Sequence, residues 1–110
     1  MYPQDVDTQE LRQRLGSQPL RWTLHAIREA AADRLSTKDI EAALRADAQV
    51  IQDYPDAARG ACCLVLAHLP GGRPVHAVLG YASPHHLVVI TVYEPDPKLW
   101  SDDFMRRRRP

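Results

Sequence analysis

The sequence predicts an α+β fold in which two N-terminal helices, preceded by a short extra helix, pack on one face of a four-stranded, mainly antiparallel sheet. Three observations carry that expectation. Apolar residues recur at helical period from Leu24 to Leu44. From Val50 onward the apolar period changes to two. The connections between the later runs are short and rich in Pro, Gly and Ser, so neighbouring strands are joined by hairpins and run antiparallel.

Residues 1–20 read as an N-terminal extension with a short helix. That helix is expected over 5–15, with Val6, Leu11 and Leu15 as sparse apolar positions, and Gly16-Ser17-Gln18-Pro19 stops it. So weak a stripe is expected to fray or to dock on a partner. Residues 21–100 form the single α+β domain, and 101–110 read as a flexible basic tail.

The first helix of the domain starts at Thr23, whose hydroxyl suits the free N–H groups of a first turn. Leu24, Ile27 and Ala31 stand at i, i+3 and i+7 and are expected to be its buried face, with His25 and Arg28 on the margin. Arg34 closes it. Ser36 then caps a further helix with Asp39 three residues on, and Ile40, Ala43 and Leu44 supply its core face.

Strands are expected over 49–54, 60–68, 74–81 and 87–94. Pairing Val75 with Val92, Ala77 with Ile90 and Leu79 with Val88 gives the last hairpin one wholly apolar face. The same register sets His76 opposite Thr91, with Tyr93 on their side, on a second face expected to be more open and more polar. On the second strand Leu64 and Leu66 are expected to turn to the helices, with Cys63 and Val65 as the competing pair. Pro95-Asp96-Pro97 ends the sheet, after which Lys98-Leu99-Trp100 is expected to fold back over an edge of the core.

Composition bounds the function classes. The 110 residues are 45% hydrophobic and 25% charged, ordinary for one globular domain. No apolar run approaches the roughly 18 residues of a membrane span, and the start lacks a secretory pattern, so a cytoplasmic address is the expectation. Formal net charge is zero, but Arg106 to Arg109 carry four of the 14 basic residues; the rest has 10 basic against 14 acidic, a balance of −4. Such a body has no general attraction for nucleic acid, so RNA binding would need a local basic patch or the tail. Cys62 and Cys63, adjacent on a strand, point to opposite faces and are expected to be buried free thiols.

Few side chains suit chemistry. His25 and Arg28 could act on a phosphate, with Arg28 holding the anion and His25 moving a proton; alternatively His25 hydrogen-bonds the sheet's end or a carboxylate such as Glu29. His76, near Thr91 and Tyr93, is the second candidate, beside a purely structural role. Arg34 is expected as a cap or as an ion-pair partner of Asp33 or Asp53. His85 and His86 are expected to be solvated, since two adjacent histidines do not make a zinc site. There is no Gly-rich phosphate loop, Gly-x-Ser-x-Gly elbow or Cys-x-x-Cys pair, and no metal or cofactor is expected.

The His25-Ala26-Ile27-Arg28 opening, the Arg34-Leu35-Ser36 elbow, Pro74-Val75-His76 and Ile90-Thr91-Val92-Tyr93-Glu94-Pro95 resemble a small bacterial family of unknown function. The resemblance runs from about Trp22 to Trp100. That family is similar, distantly, to the RelE/ParE-like toxins of toxin–antitoxin pairs, including the BrnT group. The resemblance implies two helices on an antiparallel sheet and an RNA-cleaving site with His25, Arg28, His76 and Tyr93 as counterparts. It also implies an antitoxin protein as partner. The expected function is therefore a metal-independent, toxin-type endoribonuclease in which His25 or His76 deprotonates a ribose 2′-hydroxyl and Arg28 stabilises phosphate charge. The alternative is a non-catalytic protein-interaction module. Convergence of those four side chains around one cleft separates the two.

Overall fold

A computed structural model of the chain describes residues 6–109. The fold is α+β, with three helices and a five-stranded mixed sheet. In chain order the elements are α1 (Thr8–Ser17), β1 (Leu20–Trp22), α2 (Leu24–Ala32), α3 (Thr37–Asp47), β2 (Gln49–Tyr54), β3 (Cys62–His68), β4 (Pro74–Gly80) and β5 (Leu87–Tyr93). The strands lie in the order β1-β5-β4-β3-β2.

Two features correct the expected sheet. It has a fifth strand, β1, and β1 runs parallel to β5, pairing Leu20, Arg21 and Trp22 with Leu87, Val88 and Val89. Three residues are too few to display a period of two, so nothing in the local pattern marks β1 as a strand. The other pairings, β2 with β3, β3 with β4 and β4 with β5, are antiparallel as expected.

Each helix begins on a side-chain cap. Asp7 accepts from the N–H of Glu10, Thr23 from that of Ala26 at 3.0 Å, and Ser36 from that of Asp39. The expected span 5–15 shifts: position 5 lies outside the described residues, Val6 and Asp7 precede the helix, and α1 runs through Gly16 to Ser17 before Gln18 ends it. Leu11 and Leu15 of α1 are fully buried, so this helix docks on the chain's own core. α2 ends in a Schellman arrangement: the N–H of Leu35 donates to Ala30, that of Arg34 donates to Ala31, and Arg34 takes φ +56°.

The buried face of α2 is not the one expected. Ala26 and Ala30 enter the core, whereas Leu24 and Ile27 are 60% and 44% exposed. Two small residues let the helix approach β5 closely, which a Leu/Ile face would prevent. The expected face of α3 is buried, with Ile40, Ala43 and Leu44 inside. On β3 it is Cys63, Val65 and Ala67 that join the helix-side core. Leu66 pairs with His76 and so lies on the opposite face.

The β4–β5 register carries a bulge. Ala77 pairs with Val92 and Val78 with Thr91, but Leu79 then pairs with Val89 and Gly80 with Val88, leaving Ile90 as an extra residue. The expected core face of β4, Val75, Ala77 and Leu79, is buried. On β5 the core positions are Leu87, Val89 and Val92, in place of the expected Val88, Ile90 and Val92. One inserted residue inverts every side chain beyond it, so an unbroken alternation misassigns that half of the strand.

The sheet's second face is not open. The chain beyond Pro97 turns back on itself, with Arg108 N–H donating to Leu99 and Ser101 N–H to Arg106, and it covers this face where Phe104 accepts from His76 and the Trp100 ring packs on the imidazole. The sequence suggests a flexible basic tail over 101–110; among its described residues Phe104 is joined to the sheet through His76, and Trp100 just before it is buried. Two of the four arginines have structural partners. Arg107 lies 5.7 Å over the Trp100 ring, and Arg108 pairs with Asp102 at 2.8 Å.

Candidate functional site

The four side chains singled out from sequence fall into two pairs. His76 and Tyr93 are directly opposed on β4 and β5, on the face away from the helices. His25 and Arg28 lie on α2, whose alanines pack into the helix-side core. The fold does not gather the four around one cleft.

His76 is fully buried. Its Nε2 donates to the carbonyl of Phe104 at 2.8 Å, and its Nδ1 then accepts from the Tyr93 hydroxyl at 3.0 Å. A carbonyl can only accept, which assigns the ring proton to Nε2. The Trp100 ring meets the imidazole edge-on at a centroid distance of 4.4 Å, and Tyr93 does so at 5.2 Å. Burial pushes the imidazole pKa down, opposed by the bond to Phe104, and burial pushes the Tyr93 phenol up. Both groups are held neutral, with their polar atoms engaged. The expected partner Thr91 is instead opposite Val78.

His25 is at the surface, and its Nε2 sits 3.2 Å from Oε1 of Glu29 one turn on. Glu29 is the more informative residue. Its Oε1 accepts from the Val92 N–H at 3.2 Å and from the Thr91 hydroxyl. Asp33 takes the N–H of Glu94 at 3.2 Å. β1 stops at Trp22, so the upper edge of β5 has no strand beside it, and these two carboxylates satisfy the amides that β1 leaves open. The i, i+4 spacing of His25 and Glu29 marked their contact in advance; the link to β5 depends on a strand too short to read.

Other polar groups are structural. Arg14 donates to the carbonyls of Tyr81, Ser83 and His86 and fixes the loop between β4 and β5. Sequence reasoning missed it, because a single arginine on a sparse helix carries no spacing signal. Tyr81 donates to Asp53 at 2.7 Å. His86 bonds Ser83 at 3.1 Å, and His68 pairs with Asp47 at 3.0 Å. Burial, and then the nearby Asp53 carboxylate, push the Cys63 thiol up to about 12. Among the described residues no three His, Cys, Asp or Glu side chains stand together as a metal site, and no helix is long and apolar enough to cross a membrane. An open cleft of about 620 Å³ lies between the folded-back C-terminal segment and the β2–β3 edge, lined in part by Gln49, Leu66, His68 and Arg106. None of the four candidates lines it.

Comparison with known proteins gives one relationship. The family described as domain of unknown function (DUF4258) matches residues 22–94, more than half of the chain, and the chain belongs to that family. No curated protein and no solved structure matches it.

Proposed function

We propose, with membership of this family as the premise, that the domain is a non-catalytic protein-interaction module. The observation that carries this reading is the state of His76. A general base must reach the proton it abstracts, and this imidazole is wholly buried with both nitrogens engaged by Tyr93 and Phe104. The charge balance supports the same reading, because a body at −4 outside the arginine run does not attract a polyanion. Leu24 and Ile27, 60% and 44% exposed on one helix, supply apolar surface of the kind that protein contacts use.

The second reading is the toxin-type, metal-independent endoribonuclease, with an antitoxin as its partner. The contact that favours it is His25 with Glu29, a solvent-facing imidazole oriented by a carboxylate, with Arg28 alongside. Here His25 would take the 2′-hydroxyl proton, Arg28 would hold the phosphate, and His76 and Tyr93 would only support the sheet.

Incubation of the purified full chain with total bacterial RNA in the presence of a chelator separates the two. The interaction reading predicts intact RNA. Cleavage that is lost in His25→Ala establishes the nuclease and overturns it.

A further inference from the structure

The charges of α2 are sorted by side. Its carboxylates, Glu29 and the capping Asp33, turn to the β5 edge and are occupied by backbone amides. At about 100° per residue, Leu24, Ile27, Arg28 and Ala31 share the opposite side, and all four are exposed. Arg28 forms no ion pair among the described residues, and neither does Arg34 at the helix end. The outward surface is therefore an apolar stripe along a helix, bordered by cations whose own helix directs its anions elsewhere.

We propose that this stripe is the docking surface for an acidic amphipathic helix of a partner protein. The assignment rests on the interaction reading above and names the partner's chemistry. Leu24, Ile27 and Ala31 follow i, i+3 and i+7, the spacing at which a second helix lays its own apolar ridge into the groove between them. Carboxylates on that partner pair with Arg28 and Arg34, which gives the contact its sign. RNA does not fit, because the centre of the surface is apolar. A second copy of the chain does not fit either, since a two-fold pairing of α2 with α2 sets like-charged arginine borders against each other.

The test is a selection from a displayed library of helix-forming peptides of about five turns, roughly 18 residues each, against the purified full chain. The expected winners carry Asp or Glu beside Leu or Ile at i, i+3 or i+4, and i+7. Their binding to Leu24→Ser/Ile27→Ser falls by about tenfold or more, and Arg28→Glu shifts the selection toward basic helices. All the substitutions are at exposed positions, and a thermal melt close to wild type confirms that each variant is folded. Neutral or basic winners, or winners that bind the double variant equally well, overturn the docking assignment and leave the interaction reading standing. So does a dimer of the wild-type chain that the double variant abolishes. RNA cleavage by the same preparation overturns the interaction reading itself.

Discussion

The imidazole of His76 donates to the main-chain carbonyl of Phe104 at 2.8 Å, which joins the centre of the sheet to the chain's C-terminal segment. The bond makes the segment beyond Trp100 a structural cover for the second face of the sheet. The other ring nitrogen accepts from Tyr93, so one side chain satisfies both a strand neighbour and the covering loop.

Stability is expected to fall on mild acidification because of this residue. Burial lowers the pKa of His76 in the folded chain below its ordinary 6.5. The unfolded chain therefore binds a proton first as pH falls. The contribution is complete above about 6.5 and is lost as pH drops through the window between that value and the lower folded one. Denaturant titrations of wild type and His76→Phe from about pH 7 to 5 check this. The wild-type midpoint falls with pH, and the variant's falls less. His76→Ala costs about 2–4 kcal/mol at neutral pH, from lost packing and two unpaired partners.

Glu29 is expected to matter more for folding than His25. Replacing Glu29 by Ala leaves the Val92 N–H and the Thr91 hydroxyl without their acceptor and costs about 1–3 kcal/mol in urea unfolding. Glu29→Gln retains an acceptor oxygen and costs less. His25→Ala, at a side chain 70% exposed, leaves the unfolding midpoint close to wild type.

Arg34 occupies a left-handed conformation at φ +56° where a Schellman motif favours glycine. Arg34→Gly is expected to raise stability by about 1 kcal/mol, since relief of backbone strain exceeds the extra freedom of the unfolded chain. A thermal melt checks the sign.

Neither thiol is expected to be reactive in the folded chain. Burial, and then Asp53, raise both Cys62 and Cys63, the latter to about 12, so the thiolate is scarce near pH 8. Alkylation followed by mass spectrometry should give slow labelling of Cys62 and none of Cys63, with both labelled rapidly in denaturant.

Local signals foretold the starts of α2 and α3 and the segments of β2 to β5, because caps at Thr23 and Ser36 and the period-two runs are properties of neighbouring residues. What escaped is non-local. β1 is a strand only because β5 lies beside it. Ile90 is a bulge residue whose carbonyl accepts from the Thr23 hydroxyl, 67 positions away in sequence. On α2 the larger side chains pointed to a face of Leu24 and Ile27; close packing against β5 selected Ala26 and Ala30. For the candidate site, the pairing of His25 with Glu29 and the shared face of His76 and Tyr93 were legible. The folded-back segment that seals His76 was not, since a run of arginines carries no sign that its backbone returns to the sheet.

Induced expression of the full chain in a bacterial host, following growth and bulk mRNA integrity beside His25→Ala, decides between the interaction module and the ribonuclease. An interaction module leaves growth normal and mRNA intact for both proteins at confirmed soluble expression. Growth arrest with mRNA loss in the wild type, relieved by His25→Ala, would contradict it and establish a ribonuclease centred on α2.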